Sequence, residues 1–314
     1  MPEIANTACR LCPRSCGADR AGGKKGYCGA DDRVMVARAA LHMWEEPCIS
    51  GTNGSGAVFF CGCPLHCVYC QNREISGGDG GAAVTVSELA EIFLKLQGQK
   101  AHNINLVTAG HYAPQAAEAV RLAKARGLSI PIVWNSSGYE KVETLRMLEG
   151  LVDIWLPDFK YMDPDLAARL SRAPDYPRVA AAALEEMAGQ AERRAKKECE
   201  GKGGTEVFTD EGIMKRGVIV RLLLLPGHVK QSKQVIGYLL RTYGDRIRIS
   251  LMSQYTPVPA VANDPLLGRR VTRREYDRLV RHALDLGLEK GFIQERDVAE
   301  ESFIPAFDGT GVTV

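Results

Sequence analysis

Between residues 57 and 286 a short apolar run is followed, six times over, by an amphipathic stretch, and this alternation limits the fold of the 314-residue chain more than any other feature. Ala57–Phe60, Asn103–Val107, Ile130–Trp134, Val152–Leu156, residues 217–225 and Ile247–Leu251 read as strands. The intervening helices begin with an N-capped one at Thr85, carrying Leu89, Ile92, Phe93 and Leu96 on one side. Pro114–Arg126, Glu140–Leu148, Asp163–Leu170 with Val179–Ala188, Ser232–Arg241 and Thr272–Leu286 follow, and Gly291–Gln294 reads as a short closing element. Strands separated by such helices pair in parallel through right-handed crossovers. A closed eight-stranded barrel needs two more units than the chain supplies. The expected fold is therefore α/β: a partial (β/α)6, TIM-like open barrel over residues 56–290, with a lateral mouth for a macromolecular substrate. A cysteine-rich N-terminal extension, 1–55, precedes the barrel and a C-terminal tail, 291–314, follows it.

The first strand empties into a turn where Cys63, Cys67 and Cys70 have the spacing C-x3-C-x2-C. Three soft ligands on one tight loop suit an iron–sulfur cluster that leaves one iron to a non-protein ligand; a structural zinc or an electron-transfer cluster takes four protein ligands. A second group, Cys9, Cys12, Cys16 and Cys28, lies in a segment rich in glycine and basic residues that buries little apolar surface. Metal binding would order it; zinc, an auxiliary [4Fe-4S] cluster and unliganded thiols all fit the spacing. Cys48 and Cys61 stand outside both groups and read as buried free thiols. Cys199 falls in the charged, glycine-rich stretch 189–206, a solvated excursion or, alternatively, a docking surface, and reads as exposed. Clustered thiols favour metal in a reducing compartment over disulfides.

The cysteine loop, preceded by Val58-Phe59-Phe60, containing Tyr69 and followed by Gln71-Asn72, resembles the radical S-adenosylmethionine (SAM) superfamily. The chain is similar, more narrowly, to an uncharacterised group related to pyruvate formate-lyase activating enzymes. The matching stretches are Cys12-Pro13-Arg14-x-Cys16-Gly17, Glu45-Glu46-Pro47-x-Ile49-Ser50-Gly51, Asn105-Leu106-Val107-Thr108, Leu156-Pro157-Asp158-Phe159-Lys160-Tyr161 and Ser250-Leu251-Met252-x-Gln254-Tyr255. The resemblance implies a [4Fe-4S] cluster on Cys63, Cys67 and Cys70 that binds S-adenosyl-L-methionine, cleaves it reductively to a 5'-deoxyadenosyl radical, and so abstracts a hydrogen atom from a substrate. It implies also a one-electron donor such as flavodoxin or ferredoxin.

In parallel strand–helix units, functional groups gather on the loops after the strands. Those loops carry Tyr69 and Asn72, then Thr108, Ala109, Gly110 and His111, then Asn135 and Ser136, Asp158 and Lys160, and Gln254; Arg221 interrupts the apolar strand 218–225. All are candidates for holding the cofactor. The resemblance places a Gly-Gly-Glu-like segment where Thr108-Ala109-Gly110 stands, so the acidic residue is missing here. His111 is a ligand contact or loop packing; Asn135 and Ser136 suit ribose hydroxyls or cap a helix. Asp158 and Lys160 serve a ligand or pair with each other. Arg221 must find an anion, either a methionine carboxylate or an acidic side chain. Met43 and Trp44 read as packing.

A formal net charge of +2 recruits no polyanion, so nucleic acid is unsupported as a partner. No apolar segment is long enough to span a bilayer and the N-terminus lacks a leader pattern, so a cytoplasmic location is expected. Three functions follow: a radical SAM enzyme acting on an unidentified substrate, an activating enzyme that installs a glycyl radical on a partner protein, or a non-enzymatic iron–sulfur carrier.

Overall fold

The computed structural model describes residues 8–198, 204–294 and 305–312; Cys199 lies outside these. After the N-terminal segment come strand β1 (Val34–His42), the single-turn helix α1 (Pro47–Ser50), β2 (Ser55–Phe60), α2 (Arg73–Ser76) and β3 (Ala82–Val84). The alternating part runs α3 (Val86–Gly98), β4 (Ile104–Val107), α4 (Ala113–Ala125), β5 (Ile132–Ser136), α5 (Val142–Arg146), β6 (Ile154–Pro157), α6 (Pro164–Ser171) and α7 (Tyr176–Glu198). It closes with β7 (Val207–Phe208), β8 (Met214–Leu223), α8 (Val229–Tyr243), β9 (Arg248–Met252), α9 (Arg273–Asp285) and β10 (Gly291–Ile293).

The sheet order is β10-β9-β8-β6-β5-β4-β2-β1-β3, with β7 paired to β8. Neighbours from β2 through β10 are parallel, whereas β1 is antiparallel to β2 and β3, so the sheet is open and mixed rather than purely parallel. The difference arises at 34–42, where a short apolar alternation becomes a nine-residue strand against β2. The predicted strand at 130–134 starts two residues later, after Pro131, which has no N–H for the ladder.

Side-chain alternation gives the sheet two apolar faces. Val58, Phe60, Leu106, Trp134, Trp155, Val218 and Val220 face the helices and share their core. On the other, concave face the core is split. Ala37, Ala57, Phe59 and Val107 form one part; Val133, Ile154, Leu156 and Ile219 pack with Cys48 and Ile49 of α1 in another. Helix α1, started by Pro47 at its first turn, thus plugs the concave side, and Cys48 is a buried thiol there as expected.

One edge of the open sheet is covered: residues 305–312 run as a strap along β1, with Ala39 N–H donating to Thr310 O at 2.9 Å and Gly309 N–H to Ala37 O at 3.0 Å. Phe307 meets concave-face Phe59 edge-on at 5.5 Å, and Arg38 pairs with Asp308 at 3.0 Å. A Cβ on Gly311 would collide with the Ala39 carbonyl, and φ there is +76°. We therefore expect Gly311→Val to lift this strap and speed exchange of the Ala39 amide by about tenfold or more. Unchanged exchange by mass spectrometry or NMR would mean that the pairing contributes nothing.

The N-terminal segment, for its part, is tied to the alternating part of the chain. Arg14 donates to the carbonyls of Pro64, Ser171 and Arg172, Thr144 to that of Leu11, and Lys141 to that of Arg10. Residues 10–14 are stitched to the loop after β2, the start of α5 and the C-terminal end of α6, because their own few apolar side chains make no core.

Candidate functional site

The loop 61–70 at the end of β2 is shaped by two left-handed residues, Gly62 at φ +93° and His66 at φ +53°. A Cβ on Gly62 would lie 2.7 Å from the Cys28 carbonyl and 3.0 Å from His111 Nε2, so only glycine fits. Cys63 N–H donates to that Cys28 carbonyl at 3.1 Å, and His66 Nε2 bonds the Tyr27 carbonyl at 2.8 Å. Burial pushes the Cys63 thiol up to about 11 and that of Cys70 up to about 12, with the other thiols of the set adding to the effect and the Lys160 ammonium opposing it. Among the described residues no three His, Cys, Asp or Glu side chains close around a single ion.

A hydrogen-bond chain ends on this loop. Tyr69 OH meets Tyr161 OH at 2.6 Å, Tyr161 OH meets Ser171 Oγ at 2.8 Å, and Ser171 Oγ meets Cys67 Sγ at 2.9 Å. Tyr69, singled out in the sequence, is thus buried as the far end of a relay whose other members, Tyr161 and Ser171, were not.

Thr108, after β4, has φ +61°, unusual and strained for a β-branched residue, and Gly110 and His111 begin the turn that follows. His111 is 1% exposed, bonds the Cys61 carbonyl through Nε2 at 2.8 Å, and is held neutral by burial, with its pKa lowered to about 4. It braces the Gly62 turn. A Cβ on Gly110 would lie 2.6 Å from Oε1 of Glu140, whose carboxylate accepts from Trp134 Nε1 at 2.9 and 3.1 Å. Sequence reasoning gave Glu140 only a helix start, since its burial depends on Trp134 from the preceding strand. A narrow cleft here is walled by Cys12, Pro64, Thr108, Gly110, Ser136 and Glu140. A separate cavity of about 280 Å³ opens by Asp153 and Arg216, near the opposite ends of β6 and β8.

Burial raises the Glu140 carboxyl from 4.5 to about 7. The folded state then keeps a proton that the unfolded chain releases. The stabilisation is fully present below about pH 4.5 and is lost as pH rises through about 7, on the order of 3 kcal/mol in all. Glu140→Gln should remove that component: the stability difference between variant and wild type, from urea melts between pH 4.5 and 8, should move in favour of the variant as pH rises. A pH-independent difference would refute the assignment.

Below the strand ends, on the concave face, lies the most heavily charged cluster of the site. Arg221 on β8 donates from Nε to Asp158 Oδ1 at 2.9 Å, from Nη1 to Glu45 Oε2 at 3.2 Å and from Nη2 to Asn135 Oδ1 at 2.5 Å. Lys160 Nζ meets Asp158 Oδ2 at 2.6 Å. Glu45 Oε1 accepts from Asn105 at 3.1 Å and from Asn135 at 3.2 Å. Arg221 therefore has acidic side-chain partners, and Asp158 and Lys160 pair with each other. Burial works against the Arg221 charge, but Asp158, Glu45 and Glu46 outweigh it and hold the guanidinium protonated. Burial likewise drives the Glu45 and Glu46 carboxyls upward, against the pull of Arg221.

Glu45 is the residue that sequence reasoning missed. It sits beside α1, where Ser50 Oγ accepts from its backbone N–H at 3.0 Å and Oγ donates to His42 O at 3.2 Å, aiming the side chain up the concave face. The adjoining Glu45-Glu46-Pro47 was its only trace. Asn135 is tied to Arg221 and Glu45, Ser136 Oγ accepts from Gly138 N–H at 3.1 Å, and Gln254 Oε1 accepts from Gln294 at 2.8 Å. Asn72 precedes α2, its carbonyl accepting from Ile75 and Ser76. The strand-end loops after β2, β4, β5 and β6 lie at one face, as the alternation implied, and the loop after β9 joins them where Gln71 Nε2 donates to Gln254 O at 3.0 Å.

The profile of the radical SAM superfamily matches residues 57–188. An uncharacterised protein of Methanocaldococcus jannaschii is 26% identical over 288 residues, covering 90% of this chain and 75% of that protein. A radical SAM methyltransferase from Sphaerobacter thermophilus superposes with a TM-score of 0.51 at 16% identity, over 78% of this chain and 67% of that one. A domain of a pyruvate-formate lyase-activating enzyme from Bacteroides vulgatus matches 59% of this chain and 92% of its own length, at 15% identity and a TM-score of 0.38. At 16% identity the likeness to the methyltransferase is one of fold. No described helix is long and apolar enough to cross a membrane.

Proposed function

Given that the chain belongs to the radical SAM superfamily, we propose that its strand-end face binds a [4Fe-4S] cluster through Cys63, Cys67 and Cys70, together with S-adenosyl-L-methionine, and acts on a carbon-bound hydrogen of a substrate. When bound, the pair supplies a 5'-deoxyadenosyl radical after one-electron reduction by a flavodoxin- or ferredoxin-type donor. The residues present fit such a group. Three thiols stand on one loop at a strand end, the Cys67 sulfur 2.9 Å from the Ser171 hydroxyl. That placement, at the end of β2 and inside the stretch 57–188 that the superfamily profile matches, is the single observation that carries the reading.

In this reading the Ser171 hydroxyl donates to Cys67 Sγ and makes that sulfur a poorer electron donor, while Tyr161 and Tyr69 hold the hydroxyl in place. Thr108, Gly110 and Ser136 line the cleft beside the loop and bind the amino-acid end of the cofactor, with Ala109 as backbone. Asn135, Asp158 and Lys160 orient its polar groups from the rim of the charged cluster, with Asn72 and Gln254 at the edges. Arg221 and His111 act through their neighbours, as positioning residues. The test is anaerobic reconstitution with iron and sulfide, followed by dithionite and S-adenosylmethionine. Release of methionine and 5'-deoxyadenosine is expected; a fully iron-loaded protein that neither binds nor cleaves the cofactor would return the chain to the carrier reading.

A further inference from the structure

We propose that Cys9, Cys12, Cys16 and Cys28 bind a second iron–sulfur cluster, one backbone hydrogen bond away from the Cys63–Cys70 loop. The segment folds back on itself: Cys9 N–H donates to Ala18 O and Gly17 N–H to Cys9 O, both at 3.0 Å, which brings Cys9 beside the chain that carries Cys16. The sulfurs of Cys16 and Cys28 lie 3.3 and 3.6 Å from where a Cβ on Gly26 would stand, so glycine at 26 keeps the space between them clear. Two tight turns present Cys12 and Cys28: Ser15 N–H donates to Cys12 O at 3.0 Å and Gly29 N–H to Gly26 O at 2.9 Å.

A buried cation serves the group. Arg20 is 0% exposed; its Nη1 lies 3.9 Å from Cys9 Sγ and also donates to His111 O at 2.6 Å, while Nε and Nη2 donate to Asp31 O. A fully buried guanidinium on a sulfur is costly without negative charge and is apt beside thiolates. Room kept at Gly26 beside the Cys16 and Cys28 sulfurs suits a polynuclear cluster on four thiolates better than tetrahedral zinc, whose sulfurs crowd a single atom. The segment's order has the same explanation, since a stretch with so little apolar surface gains its folding free energy from the metal.

The position relative to the first loop is the consequential part. Cys28 O accepts from Cys63 N–H at 3.1 Å, so a ligand of one set is bonded through backbone to a ligand of the other. Two paramagnetic clusters joined in this way lie close enough to broaden each other's resonance. The coupling, though not the second site itself, rests on the cluster proposed above at Cys63, Cys67 and Cys70.

The experiment uses the full chain, isolated and reconstituted anaerobically. The Cys63→Ala/Cys67→Ala/Cys70→Ala variant should retain about four irons and four sulfides per chain and no zinc; one zinc and no iron overturns the proposal. Should that variant fail to fold, the dithionite-reduced wild type decides. Its electron paramagnetic resonance spectrum should show two interacting centres, and Cys12→Ser/Cys16→Ser should lose half the iron and the broadening while its remaining signal still responds to S-adenosylmethionine. A wild type with about four irons and one unbroadened signal refutes the second cluster. The two assignments fail separately: if iron survives the triple substitution but not Cys12→Ser/Cys16→Ser, the N-terminal site stands and the 63–70 site falls.

Discussion

Cys67→Ala protein, reconstituted and reduced as the wild type, should release no 5'-deoxyadenosine above background and lose the iron of the 63–70 site. Removing one of three thiolates leaves a cluster with too few protein ligands to stay bound. The informative companion is Ser171→Ala, which keeps all three thiols but removes the hydroxyl 2.9 Å from Cys67 Sγ. It should retain iron and bind S-adenosylmethionine while its reduction potential moves to a more negative value, because a hydrogen bond to a ligating sulfur stabilises the reduced state. Iron analysis, product chromatography and a redox titration followed by electron paramagnetic resonance separate the two effects. Full cleavage by Cys67→Ala would remove that thiol from the proposed site, and an unshifted potential in Ser171→Ala would reduce the Tyr69–Tyr161–Ser171 relay to packing.

Replacing Arg221 with methionine should destabilise the fold by about 3–5 kcal/mol, the usual consequence of stripping one partner from a buried ion network. Glu45, Asp158 and Asn135 would all lose a bond to the guanidinium at once, and the Glu45 carboxylate, whose own side chain is only 9% exposed, would face the concave side with two amides in place of a cation. The loss should shrink when Glu45→Gln is combined with Arg221→Met, since the double variant leaves one fewer orphaned charge. Denaturant melts of both single variants and the double variant measure this coupling. Additive losses, or an Arg221→Met protein within about 0.5 kcal/mol of wild type, would show that the network is not a unit. Asp158 sits at the strand-end rim, so the same substitution should also loosen Lys160 and weaken S-adenosylmethionine binding without removing iron.

The sequence carried the fold-setting pattern because it is local. Apolar runs of strand length alternating with helices such as that begun by Thr85, with its capping box to Glu88, dictate parallel neighbours whatever the distant contacts are. The spacing of Cys63, Cys67 and Cys70 is local too, and so is the rule that such loops collect at one end of the sheet. Arg221 was conspicuous because a lone charge in an apolar strand demands a partner, but the identity of that partner was not written nearby: Glu45 arrives from 176 residues away, carried by the α1 plug.

Long-range approach also decided what else could not be read from spacing. Only the folded chain brings Cys28 to Cys63, Ser171 to Cys67, Glu140 to Gly110 and Phe307 to Phe59. Each joins segments whose separation along the chain says nothing of their separation in space, because closing a long loop costs only slowly more entropy as it lengthens. The proposed kind of chemistry and the alternating α/β architecture thus belong to the sequence itself. The neutralised arginine, the strapped β1 edge and the adjacency of the two thiol groups belong to tertiary packing, which chooses among the many partners that a short-range pattern leaves equally available.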